Sequence, residues 1–120
     1  MTSITQRTLK YLRAAGYVCG IVEHWNSFCR VRQDLFGFID IIAIDTKGKR
    51  IIAVQTTSGS HHSDRVTKIK MEERAIDWTE GGGSIMMISW TKAGEKGKRK
   101  AWTPRMEMIH ESLNSNAKGG

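Results

Sequence analysis

A mixed α/β (α+β) domain, with one β-sheet of about five strands flanked by helices, is the fold class that three features of the sequence predict. Two short β-branched runs, Ile39–Ile44 and Ile51–Val54, stand on either side of a polar turn, Asp45-Thr-Lys-Gly-Lys-Arg50. Short apolar runs bounded by turn residues read as strands, and the turn makes the pair a hairpin with Gly48 expected at positive φ. Both runs are apolar at nearly every position, as in central strands covered on both faces. Segments with helical spacing precede and follow the pair, and a further apolar run, Ser84–Trp90, comes after the second of them. Alternation of this kind suits a sheet with helices on its faces.

Ser3 followed by Gln6 is a capping-box pattern, and Ile4, Thr8, Tyr11, Leu12 and Ala15 recur at helical spacing before Gly16. A first helix is expected over about 4–15. Tyr17–Trp25 is rich in Val, Ile and aromatics and reads as a strand, with Glu23 near its end. Residues 26–33 read as a polar connection. After Thr57 comes a loop, Ser58-Gly-Ser-His-His-Ser63, then one helix over about 64–79 with Ser63 as N-cap and Val66, Ile69, Glu73 and Ile76 on one stripe. Gly81-Gly-Gly83 ends it. Trp102 is expected in a short edge strand. Thr103-Pro104 reads as an N-cap with Pro at the first helical position, followed by a stripe of Met106, Ile109, His110 and Leu113. Asn114–Gly120 is small and polar and is expected to be a flexible tail, which leaves a single domain over 1–113.

The chain has 120 residues, enough for one domain with a real core. Its net charge of +7 favours nucleic acid as partner. No segment approaches the length of a transmembrane helix, and the N-terminus lacks the layout of a signal peptide, so a cytoplasmic protein is expected. Cys19 and Cys29 have no paired C-x-x-C spacing and read as two ordinary thiols of a reducing compartment.

Inside the apolar runs sit a few residues that a plain core would not choose. Asp40 interrupts Phe38–Ile44, and Gln55 and Thr57 end the second run on a shared face. An ionised carboxylate in an apolar strand is costly unless it is paired or metal-bound. The paired alternative is a salt bridge from Asp40 to Arg30, Arg32 or Arg50. Asp34, near the strand entrance, reads as structural and as a partner for Arg32.

This arrangement resembles the PD-(D/E)XK nuclease superfamily. There, an Asp on one strand and an acidic-x-Lys triplet on the next hold a divalent metal against a scissile phosphate. Asp40 matches the Asp. Gln55-Thr56-Thr57 occupies the triplet, with Gln in place of the acid and Thr in place of the Lys. The order helix, three strands, helix, strand is also that of the superfamily core. The resemblance is closest to small single-domain members such as archaeal Holliday-junction resolvases. It implies a restriction-endonuclease-like sheet, a nuclease-like domain, a Mg²⁺ or Mn²⁺ cofactor and a homodimer.

In that frame Asp40, Glu23, Gln55 and the backbone of Thr56 are the candidate metal ligands, an oxygen set suited to Mg²⁺ or Mn²⁺. The alternative for Glu23 is a solvated strand end, and for Gln55–Thr57 a hydrogen-bonded strand end. His61 and His62 are candidates for a base or for orienting water, against a reading as solvated loop residues. Thr57 cannot supply the charge of the missing Lys, so Lys68 or Arg65 on the following helix is expected to replace it. Residues 92–105 hold Lys92, Lys96, Lys98, Arg99, Lys100 and Arg105 against Glu95, flanked by Trp90 and Trp102. That run, with Arg30 and Arg32, is the expected DNA-binding surface, and the alternative is a solvated turn with the two tryptophans as core residues at its base. The function expected is a metal-dependent, structure-selective DNA endonuclease acting on Holliday-junction or other branched DNA. The alternative is a catalytically decayed nuclease fold that binds DNA.

Overall fold

The computed structural model describes residues 3–94, 97 and 100–109. The first helix, α1 (Ile4–Ala14), starts where Ser3 Oγ accepts a hydrogen bond from the Gln6 N–H at 3.1 Å, and Gly16 follows it at φ +101°. Then come β1 (Val18–Ile21), a hairpin of β2 (His24–Asn26) and β3 (Val31–Gln33), β4 (Ile41–Asp45) and β5 (Arg50–Ser58). A short 3₁₀ turn (Gly59–His61) leads into α2 (His62–Lys70) and α3 (Glu73–Glu80), followed by β6 (Ser84–Ala93) and β7 (Ala101–Met108).

The fold is α+β. Its five-stranded mixed sheet has the order β1-β4-β5-β6-β7, and β2-β3 form a separate two-stranded ribbon. β5 and β6 are parallel, joined through α2 and α3, and the other neighbours are antiparallel. Side chains alternate along β5, so each face of the sheet has its own core. Ile52 and Val54 pack with Leu9 and Leu12 of α1, and with Met86, Ile88 and Trp90 of β6. Ala53 packs on the opposite face with Val66, Ile69 and Ala75 of α2 and α3, and with Ile85 and Met87.

Several local expectations are corrected. Tyr17–Trp25 is not one strand, and residues 26–33 are not a plain connection, because the chain breaks at Val22–Glu23 and turns out into the ribbon. Gly48 is not the residue at positive φ. Lys49 is, at +55°, in a turn where Asp45 accepts from the Gly48 N–H and pairs with Arg50. The single helix over 64–79 is two helices. Glu72 adopts an extended conformation (φ −85°, ψ 121°), and its carboxylate caps α3 by accepting from the Arg74 N–H. Ala75, rather than Glu73, then lies buried beside Val66 and Ile69. Thr103-Pro104 does not start a helix. Pro104 lies in β7 opposite Trp90, on an edge strand where a missing N–H is tolerated. Met106 belongs to the same strand, and Ile109 continues the pairing by donating its N–H to the Ile85 carbonyl. His110, Leu113 and the expected tail fall outside the described residues.

Among the described residues no helix is long and apolar enough to cross a membrane. Cys19 and Cys29 are both free thiols.

Candidate metal centre

The candidate site forms where β1, β4 and β5 part company. Ile21 pairs with Ile41, and Ile41 with Val54. One step further on, Asp40 donates its N–H to the Val54 carbonyl at 2.9 Å and accepts the Val22 N–H at 2.9 Å. The backbone of Asp40 is thus clamped from both sides. Its carboxylate Oδ2 accepts the Thr56 N–H at 2.9 Å. Thr56 itself faces α1, where its hydroxyl meets that of Thr8 at 2.6 Å.

Asp34 arrives by a different route. An antiparallel bridge joins Leu35 to Ile39, closed by the Leu35 N–H donating to the Ile39 carbonyl at 2.9 Å. Phe36 and Gly37, both at positive φ, turn the loop between them. Residues outside such a bridge oppose one another, so Asp34 comes to lie across from Asp40. Glu23, just before β2, completes the group. Glu23, Asp34 and Asp40 each offer a carboxylate oxygen, and these atoms lie within 4.8 Å of one another.

The electrostatics follow from burial. Asp40 is buried, and its carboxyl is pushed up to about 8, first by loss of hydration and then by the neighbouring Asp34 carboxylate; the Thr56 N–H acts in the opposite direction. None of the arginines considered as its partner pairs with it. Arg50 pairs with Asp45, and Arg32 pairs with Glu23 at 3.0 Å. Asp34 pairs with neither, which corrects the expected contact to Arg32. Its Oδ2 instead accepts from Gln55 Nε2 at 3.4 Å.

Gln55 is the second notable residue. It is 1% exposed, and its Oε1 has no hydrogen-bond partner. A buried amide oxygen left unpaired is costly. Rotation of the amide by a half-turn would aim that oxygen at the carboxylates, and a cation there would satisfy it. Three carboxylates and a neutral amide form an all-oxygen donor set, of the kind that holds Mg²⁺, Mn²⁺ or Ca²⁺.

An open cleft of about 620 Å³ runs beside Asp34 and is lined also by His24, Arg32, Phe36, Arg65 and Lys68. Arg65 and Lys68, one helical turn apart on α2, therefore reach the same cleft as Asp34. Thr57 is buried on the Gln55 face, beside Ser89 in the parallel register.

The histidines separate. His61 is exposed. His62 is not a solvated loop residue, since it opens α2 at 1% exposure. Its Nδ1 lies 2.6 Å from Ser89 Oγ and its Nε2 lies 3.0 Å from Glu107 Oε1. The ring ties α2 to β6 and β7.

Among the expected DNA-contacting residues, Arg30 and Arg32 are on the β2-β3 ribbon. Lys92 lies near the end of β6 with its ammonium 5.3 Å from the Trp102 ring, Lys100 is exposed, and Arg105 lies on β7. Lys96, Lys98 and Arg99 fall outside the described residues. Trp90 is core, donating from its indole N–H to Thr8 at 2.9 Å, whereas Trp102 is partly exposed beneath Arg7.

Asp34 is the site residue that sequence reasoning assigned to a structural role. Its only signal was position, six residues before Asp40 and across a Phe-Gly turn. Compared with known proteins, the chain matches no protein-family model, no curated protein and no solved structure.

Proposed function

We propose that this chain is a metal-dependent DNA endonuclease of the PD-(D/E)XK type, selective for branched DNA. The observation that carries this reading is the convergence of Glu23, Asp34 and Asp40 on one point, with the unpaired amide oxygen of Gln55 buried beside them. Asp34 supplies the carboxylate that the triplet lacks at Gln55. The remaining donors are all oxygens, which favours Mg²⁺ or Mn²⁺.

A bound divalent cation supplies a nucleophilic water near neutral pH and charge opposite the phosphate. The chain's own residues do the rest. Glu23, Asp34 and Asp40 fix the position of that cation. The Thr56 N–H holds the Asp40 carboxylate in one orientation. Gln55 turns its amide so that the oxygen faces inward. Lys68 and Arg65 border the cleft, where they balance the charge that develops on the phosphate as the bond breaks. Thr57, uncharged, leaves that task to α2. Resolution of a four-way junction needs two nicks, which suits a homodimer.

Incubation with four-way, forked, single-stranded and duplex DNA tests the reading. Cleavage of branched DNA is expected with Mg²⁺ or Mn²⁺ and none with EDTA. Asp40→Asn is expected to bind DNA without cutting it. Cleavage by that variant at the wild-type rate would show that the site lies elsewhere. The neutral Gln55 and Thr57 favour a second reading, a DNA-binding protein on a decayed site, and a wild-type chain that binds DNA but not Mn²⁺ would select it.

A further inference from the structure

The β2-β3 ribbon grows directly out of the acidic cluster, with Glu23 immediately before its first strand and Asp34 immediately after its second. It adds nothing to either core, yet its tip is built with care. Asn26 Oδ1 accepts the N–H groups of both Phe28 and Cys29, at 2.9 and 3.1 Å, and Arg30 closes the turn at φ +54°. That geometry holds Phe28 outward at 98% exposure. Trp25, more than half exposed, pairs across the ribbon with Arg32, so the two share one face. From His24 to Gln33 the ribbon has Arg30 and Arg32 and no acidic residue.

A lone exposed aromatic is ordinary, whereas two aromatics with two arginines on a projecting ribbon form a coherent surface. The partner it fits has flat apolar faces strung on negative charge. Nucleobases stack on aromatic rings without regard to sequence, and the phosphates between them attract arginine. Apolar side chains at the tip of a projecting element also wedge into steps where base stacking is weak.

We propose that the ribbon is a DNA-binding element on which Phe28 stacks against an unpaired base, with Trp25 and Arg30 supporting the same strand. This names the substrate class of the proposed nuclease, and the placement of the scissile phosphate rests on that reading. Phe28 lies five residues after Glu23, and the first three of these steps, along β2, alone span about 10 Å at ~3.4 Å per residue. At ~3.4 Å per base-pair step, the base stacked on Phe28 lies at least about three steps from the phosphate at the acidic cluster. Unpaired bases occur there at a fork or junction and not in an intact duplex.

The test uses the full chain in EDTA, so that no DNA is cut. Its probes are a fork with unpaired bases and a fully paired duplex of equal length, read by fluorescence anisotropy. The wild type is expected to favour the fork about tenfold or more. Phe28→Ala is expected to lose that preference while duplex affinity stays within about twofold, because a side chain so exposed contributes nothing to folding. Phe28→Trp should restore the preference. Placed among the unpaired bases of the fork, 2-aminopurine should change its fluorescence with the wild type and not with Phe28→Ala. Equal binding of fork and duplex by the wild type overturns the inference, and so does a fork preference that survives Phe28→Ala. Self-association abolished by Phe28→Ala, with DNA binding intact, would assign the tip to a second copy and overturn it as well. A Phe28-dependent fork preference in a chain that neither binds Mn²⁺ nor cuts DNA would sustain the ribbon and sink the nuclease reading. Metal-dependent cutting without that preference would do the reverse.

Discussion

Gln55 Nε2 donates to Asp34 Oδ2 at 3.4 Å, and the same amide leaves its Oε1 without a partner in the protein interior. The contact is long for a hydrogen bond, and it satisfies the amide on one side only. A cation between Asp34 and Asp40 reverses the preference, since the oxygen is then the favoured end. Gln55 thus ties a position on β5 to a carboxylate that comes from a loop.

Gln55→Glu tests that relationship by adding a charge where the amide stands. Mn²⁺ affinity is expected to rise by about tenfold or more, as more negative oxygen donors tighten a hard cation. The metal-free variant should melt several degrees lower, because a fourth carboxylate is buried beside three others. Mg²⁺ should restore most of the difference. Manganese binding followed by electron paramagnetic resonance, with melting curves in EDTA and in Mg²⁺, provides both readouts. Unchanged affinity would place the cation away from Gln55.

Asp40 makes stability depend on pH in a fixed direction. Its carboxyl is pushed up to about 8 in the folded chain, while an unfolded Asp titrates near ~4. Between these values the native state holds a proton that the unfolded chain has released. The stability that this proton sustains is fully present below about pH 4 and is lost as pH rises towards about 8. Metal-free wild type should therefore be less stable at pH 8 than at pH 5 by a margin that Asp40→Asn removes. Urea denaturation at the two pH values in EDTA measures it, and an equal margin in the two proteins would rule out Asp40 as its source. Cation binding displaces the same proton, so Mn²⁺ affinity should climb up to about tenfold per pH unit until about pH 8.

His62 is expected to matter for stability and not for chemistry. Both ring nitrogens are engaged, with Ser89 and with Glu107, and the residue is 1% exposed. His62→Ala should cost about 2 kcal/mol or more, since it empties a packed site and leaves the Ser89 hydroxyl buried without its partner. His61→Ala, at an exposed position, should stay within about 0.5 kcal/mol. Urea unfolding distinguishes them. If His62→Ala unfolded like the wild type and yet failed to cleave, the ring would belong to the reaction.

The parts of this fold that the sequence foretold are those set by local pattern. Ile51–Val54 and Ser84–Trp90 are β-branched or apolar at nearly every step, and Ser3 with Gln6 marks the start of α1. The missed parts depend on contacts that no local pattern encodes. Lys70, Met71, Glu72 and Glu73 are all good helix formers, yet docking Ala75 beside Val66 and Ile69 requires a break there. Thr103-Pro104 is a sound helix-start signal that pairing with Trp90 and Thr91 overrides. The ribbon strands are three residues each, too short for an alternation to declare itself. At the site, Asp40 stood out because an acid within an apolar run is anomalous. Asp34 did not, because only the Leu35–Ile39 bridge brings it across from Asp40, and a bridge between loop residues has no periodicity.

Under the proposed reading a positive charge is needed beside the cation, and Thr57, two residues after Gln55, is a buried, uncharged group. A phosphate entering the cleft beside Asp34 meets Arg32, Arg65 and Lys68. Arg32 is already paired with Glu23, which leaves α2 as the source of free positive charge. Lys68 is exposed and Arg65 half-buried, so the lysine has the freer reach, and its compact ammonium concentrates charge at one point. Removing a group that stabilises developing charge costs about 10²–10³ in rate. Lys68→Ala should therefore lower the single-turnover rate at saturating DNA by about that factor, with the half-saturating DNA concentration changed only a few-fold. A residue that merely touched the DNA backbone would give the opposite pattern, a higher DNA requirement with the maximal rate retained. Arg65→Ala should show that second pattern. If both variants kept the full single-turnover rate, the charge would have to come from outside α2, with Arg32 the nearest remaining cation once substrate had drawn it away from Glu23.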